Sequence, residues 1–257
     1  MKISLDKIST KGKSLMLAYD QGLEHGPTDF NDRNADPAYI MQIAKEGRYN
    51  AVILQKGIAE KYYDGSVPLV IKLNGKTSYL KGDPVSPLVC SVQEAINLGA
   101  SAVGYTIYAG SIHECKMFED FSEIQEKAHR KGLPVIAWMY PRGAAIRNEN
   151  SRETLAYAAR VGLELGADIL KMKYNSRIED LKWQLKSAGK AKMMIAGGAK
   201  TTEKKFLQEA YDVISCGCYG IAVGRNIWQH KEPLRITRAL KKIIFENSAA
   251  ETAIKEL

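Results

Sequence analysis

Eight short apolar runs alternate with stretches of helical periodicity along this chain, and that alternation constrains its fold more than any other feature. The runs are Ser14–Tyr19, Ala51–Gln55, Leu69–Leu73, Ala102–Tyr108, Pro134–Tyr140, Asp168–Tyr174, Met193–Ala196 and Gly220–Gly224. Rich in Val, Ile, Leu and Tyr, they suit parallel strands buried on both faces. Between them, Leu88, Val92, Ala95, Ile96 and Gly99 step by three and four, with Pro87 fitting a first helical position and Ser86 its cap. Met117, Phe121, Ile124 and Ala128 form a second stripe. Asn150 with Glu153 has the pattern of a capping box, opening a helix that carries Leu155, Ala158, Ala159, Gly162 and Leu165. Gly99, Gly166 and Gly189 suit left-handed helix ends. Eight strand–helix units predict a single (β/α)8 TIM barrel over residues 1–257, whereas an open doubly wound sheet usually has fewer units. Asn74–Pro87 reads as a longer loop over the barrel mouth, and no Pro/Ser-rich linker divides the chain.

Composition narrows the functional classes. A hydrophobic fraction of 45% supports one large core and excludes disorder. The net charge is 37 − 29 = +8, but the basic residues are dispersed, without the block or aromatic-interleaved stripe of a nucleic-acid binder. Anionic small substrates fit that charge equally well. Cys90, Cys115, Cys216 and Cys218 have no redox or zinc spacing and read as free thiols. The four histidines, His25, His113, His129 and His230, are scattered, so neither a protein-held metal nor another cofactor is expected. No apolar run is long enough for a membrane span. Asp6 interrupts the start where a signal peptide needs apolar residues, so a soluble cytoplasmic protein is expected.

In a barrel of this kind the chemistry sits at the carboxyl ends of the strands. The first run ends in Asp20, with Gln21, His25 and Asp29 close behind; a turn cap is the alternative for Asp20, a polar pocket the better reading. The fifth ends Trp138-Met139-Tyr140-Pro141-Arg142, with Trp138 and Tyr140 on one face. They suit either an aromatic core pair or a Tyr proton donor beside a guanidinium fork. The sixth carries Lys171 and Lys173 on one face of an apolar strand. Burial and a like-charged neighbour both lower a lysine's pKa and expose a nucleophilic amine, the kind that forms Schiff bases; a salt-bridged structural lysine is the alternative. The seventh and eighth end in Ala196-Gly197-Gly198 and Gly224-Arg225, successive Gly turns of the sort that bind phosphate, with Arg225 as clamp and a helix N-terminus adding positive potential.

Taken together, these motifs resemble a known family. Ala18-Tyr19-Asp20-Gln21-Gly22-Leu23-Glu24-His25-Gly26-Pro27 is similar to the first-strand motif of archaeal-type class I fructose-1,6-bisphosphate aldolases. Trp138–Gly143, Leu170–Tyr174, Ala196–Gly198, Gly104–Tyr108 and Met117-Phe118 match further motifs in the family's order. The resemblance implies that Lys171 forms the Schiff base, that Tyr140 moves protons, and that Asp20, Gln21, His25, Asp29, Trp138 and Arg142 line the substrate pocket. It implies phosphate binding at Ala196, Gly197, Gly198, Gly224 and Arg225. Asp20 is also placed to balance the iminium charge, and Lys173 is expected both to bind substrate and to lower the pKa of Lys171. Metal-independent cleavage of fructose 1,6-bisphosphate in glycolysis and gluconeogenesis, by a homo-oligomer with decamers common, follows from the same resemblance. Two departures stand out: Tyr174-Asn175-Ser176 replaces the usual Tyr-Thr-Gly, and Ala199 replaces the Pro after the double Gly. The motifs leave two alternatives. One is a related Schiff-base aldol or transaldol synthase of archaeal aromatic biosynthesis, disfavoured by the intact first motif. The other is a non-catalytic phosphosugar-binding barrel, disfavoured by the presence of Lys171 and Tyr140.

Overall fold

Each of the eight expected runs forms a strand in the computed structural model, which describes residues 3–257; Met1 and Lys2, at the start of the segment read above against a signal peptide, lie outside the described residues. The elements in order are β1 (Ser14–Ala18), α1 (Gly22–His25), α2 (Pro37–Glu46), β2 (Ala51–Gln55), α3 (Lys56–Tyr62), β3 (Leu69–Lys72), α4 (Val92–Asn97), β4 (Ala100–Ile107), α5 (Glu114–Arg130), β5 (Val135–Met139), α6 (Arg152–Glu164), β6 (Ile169–Met172), α7 (Ile178–Ala188), β7 (Lys192–Ala196), α8 (Glu203–Ser215), β8 (Gly220–Val223), α9 (Arg225–Trp228), α10 (Pro233–Glu246) and α11 (Ala250–Ala253). Neighbouring strands pair parallel, and β1 pairs with β8 from Ser14↔Gly220 to Leu17↔Val223. That last pairing closes a (β/α)8 barrel and rules out the open sheet.

Burial explains why the strands are apolar on both faces. Met16, Ile53, Val70, Ile136 and Ile169 fill the barrel interior, while Leu15, Val52, Leu69, Val103 and Leu170 pack outward against the helices. Ile8, in a short 3-10 turn over Asp6–Ile8, joins the interior cluster together with Tyr219. The Ser14 hydroxyl donates to the Ile8 carbonyl at 2.7 Å. One end of the barrel is thereby plugged, and the end opposite carries the strand carboxyl termini.

Two expected helix starts move. Ser86 stays in the loop, where its carbonyl accepts from the Asn74 amide at 3.1 Å. The helix begins five residues later, at Ser91, whose hydroxyl accepts from the Glu94 amide while the Glu94 carboxylate accepts from the Ser91 amide. A capping box satisfies two otherwise orphaned donors, which a lone Ser-Pro pair cannot. Likewise Ser151, not Asn150, caps α6 by accepting from the Thr154 amide. Among the described residues no helix is long and apolar enough to cross a membrane.

Candidate active site

The open end of the barrel holds a cavity of about 420 Å3. Of the residues expected there, Asp20, Gln21, His25, Trp138, Tyr140, Arg142, Lys171, Lys173, Ala196, Gly197, Gly198, Gly224 and Arg225 all line it. Asp29 does not. It stands behind the wall, accepting from His25 Nδ1 at 2.6 Å and facing Arg225 Nη1 at 3.6 Å.

At the centre, Lys171 is 5% exposed and lies over the Trp138 ring, its Nζ 4.6 Å from the centroid. The two residues are register partners on β5 and β6, so the strand pairing itself places indole under amine. Burial holds the Lys171 pKa below the ordinary lysine value; Asp20 opposes that shift and Lys72 reinforces it. The expected like-charged neighbour, Lys173, is therefore not the one that acts. Its ammonium turns toward the rim and donates to Glu149 Oε1 at 2.9 Å.

Lys72 is the residue that sequence reasoning missed. It ends β3 at 2% exposure, donating to Glu24 Oε1 at 2.6 Å and lying 3.5 Å from Asp20 Oδ2. Burial disfavours its charge, but the two carboxylates prevail and raise its pKa. Asp20 is likewise buried, and Lys171 with Lys72 holds its carboxyl below the usual range against that burial. Two interior lysines thus share one cavity in opposite states: Lys72 held charged by carboxylates, Lys171 pushed toward the free amine. The signal was present, since Leu69-Val70-Ile71-Lys72 puts a lysine in an apolar strand as surely as β6 does.

The Tyr140 ring stacks on Tyr108 at 6.4 Å between centroids. Its phenol pKa is driven upward, first by burial and then by Asp20 and Glu24, with Arg142 too weak to compensate. Burial first, and the carboxylates of Asp20 and Glu24 after it, thus favour the proton-bearing phenol at Tyr140.

The two Gly turns form one structure. Asn226 donates through Nδ2 to the carbonyls of Gly197 (2.8 Å) and Ala199 (2.9 Å), and its Oδ1 accepts from the Thr201 amide. One buried side chain thus pins the turn after β7 to the end of β8. Gly198 adopts φ +67°, the left-handed region that favours glycine. The helix after β8 has only four residues, so the expected dipole contribution is small, and Arg225 carries the positive character. Ser176, where glycine is usual, takes φ 61°; the loop after β6 keeps its left-handed turn at a cost of about 1 kcal/mol. Among the described residues no three His, Cys, Asp or Glu side chains converge as a metal site needs.

The DeoC/LacD family aldolase model matches residues 14–230. The chain belongs to that family. Among curated relatives of this DeoC/LacD aldolase, the class 1 fructose-bisphosphate aldolase of Thermoproteus tenax is 52% identical over 238 residues, covering 91% of this chain and 90% of the relative. That of Halobacterium salinarum is 41% identical over 252 residues, covering 96% of each. A solved archaeal fructose-1,6-bisphosphate aldolase, described with its catalytic lysine covalently bound to the carbinolamine intermediate of the substrate, superposes with a TM-score of 0.89. It is 50% identical and covers 94% of this chain and 96% of its own.

Proposed function

We propose that this DeoC/LacD-family chain is a class I aldolase that reversibly cleaves fructose 1,6-bisphosphate to dihydroxyacetone phosphate and glyceraldehyde 3-phosphate. The observation that carries the reading is Lys171, a buried amine with a lowered pKa beside a carboxylate and a phenol. As a free amine it attacks the C2 carbonyl, giving a carbinolamine that loses water to an iminium. Asp20, already ionised, balances the new positive charge. Breaking the C3–C4 bond sends its electron pair into the iminium as an enamine, while the C4 hydroxyl proton leaves to a base. Glyceraldehyde 3-phosphate departs, C3 is reprotonated, and hydrolysis frees dihydroxyacetone phosphate and Lys171.

Tyr140 is the group assigned to the proton at C4 and C3. Burial and the carboxylates favour its protonated form; the iminium brings in a positive charge that lowers its pKa at the step where a base is needed. The Gly197–Gly198 turn, Gly224 and Arg225 hold the C1 phosphate, so that C2 lies against Lys171 on the neighbouring strand. Arg142 and Lys173, which line the same cavity at the ends of β5 and β6, face the C6 phosphate.

Borohydride reduction in the presence of dihydroxyacetone phosphate tests the reading. Peptide mass mapping should locate one stable adduct on Lys171, forming faster as pH rises because the free amine is the nucleophile. An adduct on Lys173 or Lys72 would overturn the residue assignment, and no adduct at any lysine would overturn the Schiff-base mechanism.

A further inference from the structure

Glu149 lies in the loop between β5 and α6 and does not line the cavity, yet both cations that it touches do. Its Oε2 accepts from Arg142 Nε at 3.0 Å and its Oε1 from Lys173 Nζ at 2.9 Å. Each carboxylate oxygen takes one cation. Arg142 is engaged through Nε, so its terminal nitrogens have no hydrogen-bond partner among the described residues. Lys173 spends one of its three donors. The carboxylate therefore grips both cations from the outside and leaves their remaining donors for the cavity.

The loop itself is anchored. Asn175 donates to the Asn150 carbonyl at 3.0 Å and to Asp180 Oδ2 at 2.8 Å. Glu149 is thus fixed one residue from a tie between the loops after β5 and β6. Asn175 is one of the positions where this chain departs from the usual Tyr-Thr-Gly.

Two like charges held near one another repel, and a carboxylate between them offsets that repulsion. The other basic groups of the cavity are committed: Lys72 to Asp20 and Glu24, His25 to Asp29, Arg225 to the C1 phosphate, and Lys171, as a free amine, to the carbonyl. We infer that Glu149 is a positioning residue, which holds Arg142 and Lys173 as a paired cationic station for the C6 phosphate. The inference rests on the aldolase reading above. A group outside the cavity that competed with substrate would instead have occupied the terminal guanidinium nitrogens, the fork that phosphate uses.

The test compares fructose 1,6-bisphosphate with fructose 1-phosphate, which lacks only the C6 phosphate, through kcat and KM for each. Glu149→Gln keeps the shape but has a single acceptor oxygen, so its N–H2 must oppose either the Lys173 ammonium or the Arg142 Nε–H, and the negative charge between the two cations is gone. The ratio of kcat/KM for the bisphosphate over the monophosphate should fall about 5- to 30-fold, mostly through KM of the bisphosphate. Glu149→Asp, one methylene shorter but still charged, should restore part of that ratio. A ratio that stays at the wild-type value, with both substrates falling together or neither, would overturn the assignment and make Glu149 structural. A ratio that rises would overturn it in favour of a competing carboxylate. Wild-type protein that cleaves neither ketose would overturn the aldolase reading itself, and this assignment with it.

Discussion

Lys171 and Lys72 are nearly equally buried, and what separates them is the company of carboxylates. Lys72 donates to Glu24 and lies against Asp20, whereas Lys171 has the Trp138 face below it and, among the described residues, no carboxylate within salt-bridge distance. Neutralising one lysine by mutation should therefore retune the other. In Lys72→Met, Lys171 loses a like charge and becomes the nearest cation to Asp20 and Glu24. Both changes raise its pKa. A raised pKa lowers the free-amine fraction at neutral pH, so borohydride trapping at pH 7 should slow about tenfold or more and recover as pH is raised. The pH midpoint of trapping should move to the alkaline side. A midpoint that stays in place or moves to acid would show that Lys72 does not set the reactivity of Lys171.

At the scale of the strand, the floor of the site depends on a residue of β4. A Cβ built on Gly104 would lie 1.7 Å from Trp138 Cζ3 and 2.0 Å from Cη2, so the indole that supports Lys171 occupies the space of a missing side chain. Gly104→Ala should destabilise the barrel by roughly 1–3 kcal/mol, the usual overpacking range, and lift the ring into the amine. Calorimetry should record the lowered midpoint, and Gly104→Ala/Trp138→Leu should regain much of that loss by freeing the space. No recovery in the double variant would place the strain elsewhere. Elements such as β4 were legible in the sequence because strands buried on both faces show as uninterrupted apolar runs. The Gly ends of helices were legible because a left-handed cap is a local requirement. Strand-end residues followed once the barrel was assumed. Lys72 was legible by the argument used for Lys171, since it too stands at the end of an apolar strand. Glu149 and Asn226 could not be found that way: their partners sit 24 residues away in Lys173 and 29 residues away in Gly197, and sequence spacing gives no hint of those encounters. The rise in the Tyr140 pKa is not legible from its own strand for a related reason, since after burial its largest influences are Asp20, just past β1, and Glu24, in α1.

For the whole molecule, the proposed electron sink is the iminium formed on Lys171, and no three His, Cys, Asp or Glu side chains converge on a metal site among the described residues. Cleavage should accordingly survive exhaustive dialysis against EDTA, measured with a coupled assay for glyceraldehyde 3-phosphate; loss of activity that zinc restores would overturn the Schiff-base reading. The closure of the sheet carries one more consequence. Asp20 follows β1 and Arg225 follows β8, and the seam between those strands is bridged by Trp228 Nε1 donating to the Ala18 carbonyl at 3.1 Å. Lys171 is an ordinary, protonated lysine in any chain that has not yet buried it, because its low pKa comes from desolvation inside the finished barrel. An amine that was reactive before it was enclosed would be open to any aldehyde in solution. Here the burial that lowers the Lys171 pKa is the same event that fences the amine off, so trapping competence should appear during refolding only as the ring of strands shuts.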